Sequence, residues 1–239
     1  MFTGCKKAVR SLLKRLGGKF SVALGIDLST GDAKEIFKWF LASILFGTRI
    51  SETVVINTTY RMFEKEGVLS PEDLLKKGWD GIVEILDRGG YVRYDFKTAT
   101  KLLDVSRVLI HGYRGDLNIL HSMAADSKDL EERLVALGKG IGDLTVNIFL
   151  RELRGIWHKA DPLPSELVIM AARNIGIIPE DLEDKRKILN TLMKTCNDAG
   201  LGMKDFSDFE ASLIRLGKGF CRKMACGRCA LSADCTHRA

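Results

Sequence analysis

Apolar residues recur at i, i+3 and i+4 along most of the 239-residue chain, and two-residue alternation is scarce. The pattern predicts an all-α fold. Residues 1–16 put Val9, Leu12, Leu13 and Leu16 on one face with Lys6, Lys7, Arg10, Lys14 and Arg15 around it, a basic amphipathic helix. Glycines 17, 18 and 25 and the run Ser29-Thr30-Gly31-Asp32 then predict a loop. Residues 33–46 read as a core helix apolar on most sides, and residues 51–66 as a second helix. Ser70-Pro71-Glu72-Asp73 combines a capping serine, proline at the first helical position and acids in the first turn, which marks a helix start. Further helices are expected over 79–86, 96–113, 127–136, 165–174, 179–197 and 206–216, the fifth of these opened by Pro179-Glu180-Asp181. Between 154 and 164 the prolines exclude a helix.

At residues 134–150, LVALGKGIGDLTVNIFL, an apolar helical stretch runs into Gly140-Ile141-Gly142 and a second one follows at once. Glycines at both turn positions allow positive φ and leave no Cβ in the way of an approaching ligand. The unpaired amides and dipole of the following helix favour an anion, and a nucleic-acid backbone supplies one. A glycine pair between helices also makes an ordinary tight turn.

The longest apolar runs are too short to cross a bilayer, and the first residues lack a signal-peptide core, so a cytoplasmic protein is expected, at the nucleoid if the host is prokaryotic. A net charge of +6 and a pI near 9.0 are permissive of a polyanionic partner. The chemistry-bearing feature is Cys221, Cys226, Cys229 and Cys235, a C-x4-C-x2-C-x5-C arrangement. Four thiols this close can wrap a 4Fe-4S cubane or a tetrahedral zinc. Zinc more often uses two separated C-x2-C pairs, and only one pair of that form occurs, which favours the cluster. Cys5 and Cys196 stand apart, and the four histidines show no metal-ligand spacing.

The hairpin GIGDLTVN followed by a C-terminal four-cysteine loop behind an apolar helix resembles the helix-hairpin-helix DNA glycosylase superfamily, in its endonuclease III branch. The resemblance spans most of the chain, although the first cysteine spacing is x4 where that branch usually has x6. It implies a helical barrel over 33–157 and a second lobe, 1–32 with 158–239, that carries a structural 4Fe-4S cluster. It further implies a monomer that flips a damaged or mismatched base of double-stranded DNA into a cleft between the lobes and hydrolyses the N-glycosidic bond.

By the same resemblance a catalytic carboxylate lies shortly after the second hairpin helix. Asp161 has the better spacing from Gly142, whereas Glu166 sits better at the start of its helix, in Leu163-Pro164-Ser165-Glu166. Bifunctional relatives carry a Schiff-base lysine where this chain has Leu144, so β-lyase chemistry is not expected. Asp143 stands where a basic residue is common and would repel a phosphate. Lys139, Gly140, Gly142 and Thr145 are the implied backbone contacts, and Arg49 and Tyr91 the implied side chains that fill the hole a flipped base leaves. With Asp143 and Leu144 in place, a non-catalytic DNA-damage-binding paralogue is the alternative function. Lys139 and Lys159 are read as surface phosphate contacts.

Overall fold

The computed structural model describes residues 2–233 and 235, with side chains from Lys6 onward except that of Met203; the Cys5 thiol and His237 lie outside it. The described residues form α1 (Phe2–Leu16), α2 (Phe20–Ala23), α3 (Ala33–Phe46), α4 (Glu52–Tyr60), α5 (Pro71–Arg88), α6 (Asp95–Tyr113), α7 (Leu117–Met123), α8 (Ser127–Val135), α9 (Asp143–Arg151), α10 (Glu166–Asn174), α11 (Lys185–Asp198) and α12 (Met203–Gly219), and no strand. The all-α expectation holds. None of the helices among these residues is long and apolar enough to cross a membrane. Contacts divide the chain into two compact units, residues 21–161 and residues 1–20 with 162–239.

In the unit 21–161 the organising element is α3, whose residues Ile36 to Leu45 are all buried. Asp32 caps it by accepting from the Lys34 and Glu35 amides. It packs on α9, where the Trp39 indole donates to the Phe149 carbonyl at 3.0 Å and Phe40 meets the Phe149 ring edge-on. α4 ends in a π-helical turn, Arg61–Lys65. Ser70 starts α5 as its sequence predicts, bonded to the Asp73 amide, but the helix breaks at Gly78, where φ is +68°. No expected helix covers α7. It is only seven residues long, and its start rests on a single cap in which Asp116 accepts from the Asn118 amide.

In the other unit α1 buries Ala8, Val9 and Leu12 against α11 and α12. Arg215 of α12 stacks on the Phe20 ring and donates to the Leu16 and Gly18 carbonyls, satisfying the open end of α1. α10 and α12 approach so closely that a Cβ on Gly217 would lie 2.6 Å from the Leu167 carbonyl oxygen. The helix expected from Pro179 begins at Lys185 instead. Asp184 is the real cap, accepting from the Lys187 amide, while the Leu182 carbonyl is taken by Arg173 at 2.8 Å and holds the preceding segment as a turn.

Candidate nucleic-acid interface and thiol site

The α8–α9 hairpin is looser than its sequence suggests. α8 ends at Val135, and residues 136–142 form the turn, anchored by the buried side chains of Leu137 and Ile141. Of the two glycines only Gly140 has positive φ, +86°. Gly142 is extended at φ −118°, a conformation any residue adopts, and caps α9 without a side chain, so the first amides of α9 have no side-chain acceptor there. A Cβ on Gly142 would meet nothing within 4 Å, which leaves open approach from outside the chain. Lys139, Gly140, Gly142, Asp143 and Leu144 are all exposed. The Lys101 ammonium on α6 donates to the Gly140 carbonyl at 3.0 Å, and burial pulls its pKa below the usual lysine value. A cation therefore sits against the turn, which sequence spacing gave no means of finding because Lys101 is 39 residues away.

Other expected contact residues do not face outward. Thr145 is 5% exposed, and its Oγ1 occupies the space beside Gly47 at the end of α3. Its hydroxyl packs between helices, so only its backbone amide is available to a phosphate. Tyr91 is fully buried, and its hydroxyl shares a 2.7 Å hydrogen bond with Thr48 Oγ1. The cause lies in the end of α5. The Gly90 amide donates to the Asp87 carbonyl and the Tyr91 amide to the Leu86 carbonyl, with Gly90 at φ +87°, a Schellman closure that turns the residue after the glycine back onto its helix. In this conformation Tyr91 is buried, whereas its expected role is that of a wedge. Burial raises its phenol pKa. Arg49 is exposed in the α3–α4 loop.

The two candidate carboxylates differ in setting. Asp161 Oδ1 accepts from Arg154 Nη1 at 3.0 Å; the guanidinium side chain is 2% exposed and the carboxylate side chain 35%. Glu166, in the first turn of α10, is 77% exposed and pairs with Lys185 at 2.7 Å, an ordinary surface ion pair. Lys159 donates to the His121, Ser122 and Ala124 carbonyls and so closes the C-terminal end of α7. This corrects its reading as a phosphate contact.

Sequence reasoning missed an aromatic group in the same unit. The His121 ring lies parallel to the buried Trp157 indole at 4.6 Å, His158 stands edge-on to it at 4.7 Å, and Trp157 donates to Asn118 Oδ1 at 2.9 Å. His121 Nε2 is buried without a hydrogen-bond partner among the described residues. Burial, then the charges of His158 and Lys159, push the His121 pKa down to about 4, so the ring is neutral at pH 7.

The four cysteines of the C-terminal loop converge. Cys221, Cys226, Cys229 and Cys235 all line one cavity of about 280 Å³, walled also by Leu216, Phe220 and Leu231. Short 3-10 turns, Cys221–Lys223 and Cys226–Arg228, carry two of the thiols inward. The Leu231 amide donates to Cys229 Sγ at 3.4 Å, and Cys235 Sγ donates to the Asn174 carbonyl at 3.0 Å. Burial raises the Cys221 pKa; a hydrogen bond with Asn174 opposes this, and the other three thiols raise it further. Among the described residues no three His, Cys, Asp or Glu side chains are close enough to ligate a single metal ion. Cys196 is buried in α11, away from this loop in sequence, and desolvation pushes its thiol to about 11.

No protein-family model and no curated protein matches the sequence. Solved structures do match in shape. An endonuclease III in a non-covalent DNA complex is 16% identical over 99% of this chain and 96% of its own, with a TM-score of 0.57. A thermostable thymine-DNA glycosylase is 20% identical over 98% and 95%, with a TM-score of 0.56. The 3-methyladenine DNA glycosylase of H. pylori bound to 1,N6-ethenoadenine is 12% identical over 90% and 97%, with a TM-score of 0.54. The likeness covers 90–99% of this chain, and the chain has the helical fold of these DNA glycosylases.

Proposed function

We propose that the chain is a monofunctional DNA glycosylase that hydrolyses the N-glycosidic bond of a damaged or mismatched base in duplex DNA. The observation that carries the reading is the Arg154–Asp161 pair. A buried guanidinium holds a carboxylate whose side chain is 35% exposed, so the carboxylate is fixed in place and still partly accessible. Such a group can stabilise the cationic sugar that forms as the base departs and can orient an attacking water. Glu166 offers the same chemistry without the fixed geometry, which favours Asp161 over Glu166. Leu144, exposed where bifunctional relatives carry lysine, supplies no amine, so the sugar–phosphate backbone should stay intact after base release. Lys139 and the amides at Gly140 and Gly142 are the proposed backbone anchors, with Lys101 supplying positive charge that offsets Asp143.

We infer that the cavity lined by these thiols holds a 4Fe-4S cluster: four thiols converge on one space of about 280 Å³ walled by Leu216, Phe220 and Leu231, and the single C-x2-C pair favours a cluster over zinc. Cys221, Cys226, Cys229 and Cys235 would hold the cluster, and the Leu231 amide would support the Cys229 thiolate. When bound, the cluster would supply a covalent cross-link to the loop and no reaction step.

The test is a panel of duplexes, each with one lesion: uracil, thymine opposite guanine, alkylated purines, hypoxanthine, and oxidised purines and pyrimidines. Base release from at least one duplex, with strand scission only after alkali, is expected. Binding to lesion DNA without release from any duplex would favour the non-catalytic damage-binding role instead.

A further inference from the structure

The surplus positive charge of the chain lies entirely in one unit. Residues 1–20 with 162–239 carry eighteen Lys and Arg against ten Asp and Glu, whereas residues 21–161 carry nineteen against twenty-one. Within the basic unit α1 is the extreme case, because residues 1–20 hold six basic residues and no acid. Lys6, Arg10 and Lys14 follow one another at four-residue intervals, so one row of the helix carries three like charges over a rise of about 12 Å. Like charges four apart disfavour a helix. Elsewhere the chain pairs such residues: Lys38 with Glu35, Lys76 with Asp73, Arg88 with Glu84, Arg107 with Asp104, Lys128 with Glu132 and Arg133 with Asp129. α1 contains no acidic residue that could pair them within the helix.

The opposite face of α1 is occupied. Ala8, Val9 and Leu12 are 0–3% exposed in packing with α11 and α12, so this apolar row is already covered. What its described residues expose fully is charge: Lys6, Lys14 and Arg15 are exposed, as is Arg10, one of whose nitrogens donates to the Ala199 carbonyl. A surface of this kind suits a repeating anion and supplies no shape for recognising a folded protein.

We infer that the outer face of α1 is a DNA-backbone contact, separate from the hairpin, that binds duplex phosphates without regard to sequence or lesion. The inference rests on the reading of the chain as a DNA glycosylase for its choice of polyanion. It adds a second point of electrostatic attachment, carried by the basic unit, while the hairpin belongs to the unit with no positive surplus.

The test uses the full chain and an undamaged duplex, with binding followed by fluorescence anisotropy across a series of salt concentrations. Wild type is compared with Lys6→Gln/Lys14→Gln/Arg15→Gln and with a control of equal charge change on the other unit, Lys65→Gln/Lys76→Gln/Lys128→Gln. The α1 variant is expected to lower the slope of log K against log salt by about two to three, near 0.9 for each phosphate it no longer neutralises, and the control to leave it unchanged. Thermal melting of each variant confirms that it folds. An α1 variant with the wild-type slope, or one shifted no more than the control, overturns the inference. A wild type that binds no duplex overturns it together with the glycosylase reading. Base release absent from every lesion duplex, with the α1 slope shift intact, overturns the activity and leaves the contact standing.

Discussion

Replacing Gly47 with alanine probes one close approach between the end of α3 and α9, the helix that follows the hairpin turn. Gly47 has φ −66° and ψ −5°, so alanine fits the backbone and, judged on conformation alone, should stabilise by about 0.5–1 kcal/mol. The new Cβ, however, would lie 2.5 Å from Thr145 Oγ1, while its next neighbours, the Ile44 and Ser43 carbonyl oxygens, are at a tolerable 3.4 Å. Thr145 is β-branched and buried, and rotating it trades the hydroxyl for a methyl in the same space. Overpacking of this kind costs about 1–3 kcal/mol, so Gly47→Ala should destabilise by about 1–2 kcal/mol net. Thr145→Ala removes the atom at fault and should be near neutral, since the poorer packing is offset by a gain in helix propensity. The double variant should then return to about the wild-type stability, a coupling of roughly 1–2 kcal/mol. Equilibrium urea unfolding of the four proteins measures it. Gly47→Ala as stable as wild type, or a double variant no more stable than that single one, would refute the close approach of Gly47 and Thr145. Duplex affinity of Thr145→Ala within about twofold of wild type would agree with a hydroxyl that packs and does not touch DNA.

Two further outcomes follow from the structure. His121 has a folded-state pKa near 4 against an ordinary value of 6.5, so the unfolded chain takes up the proton first as pH falls. The stability this gives is complete above pH 6.5 and is lost between pH 6.5 and 4; His121→Phe should flatten stability over that window, and an unchanged pH profile would count against the stacked, neutral ring. For the thiol site, protein purified without air should be brown and contain iron and sulfide in equal amounts. Cys229→Ser should lose both, whereas a colourless wild type containing zinc would contradict the cluster.

Much of the fold was legible because its signals are local. Ser70-Pro71 starts α5, Asp32 caps α3, and the cysteine spacing marks the four residues that line one cavity. Misread elements turn on information that no short window carries. α7 is too short to show periodicity, and Pro179-Glu180-Asp181 has the composition of a helix start while the competing cap at Asp184 prevails. Thr145 and Tyr91 are polar-tipped residues at turns, and whether such a residue faces solvent or core depends on partners, Gly47 and Thr48, that lie far away in sequence. Lys101 at Gly140 is another contact of that type. Arg154 and Asp161 are only seven residues apart, yet their pairing depends on how the intervening turn folds, and the sequence offers no period for that.

The most direct test of a hydrolytic Asp161 is single-turnover base release on the best lesion duplex, comparing wild type with Asp161→Asn and Glu166→Gln, scored with and without alkali. The expected result is a loss of at least about 100-fold for Asp161→Asn with DNA binding retained, little change for Glu166→Gln, and scission by wild type only after alkali. Full activity in Asp161→Asn, or strand breakage by wild type without alkali, would contradict it.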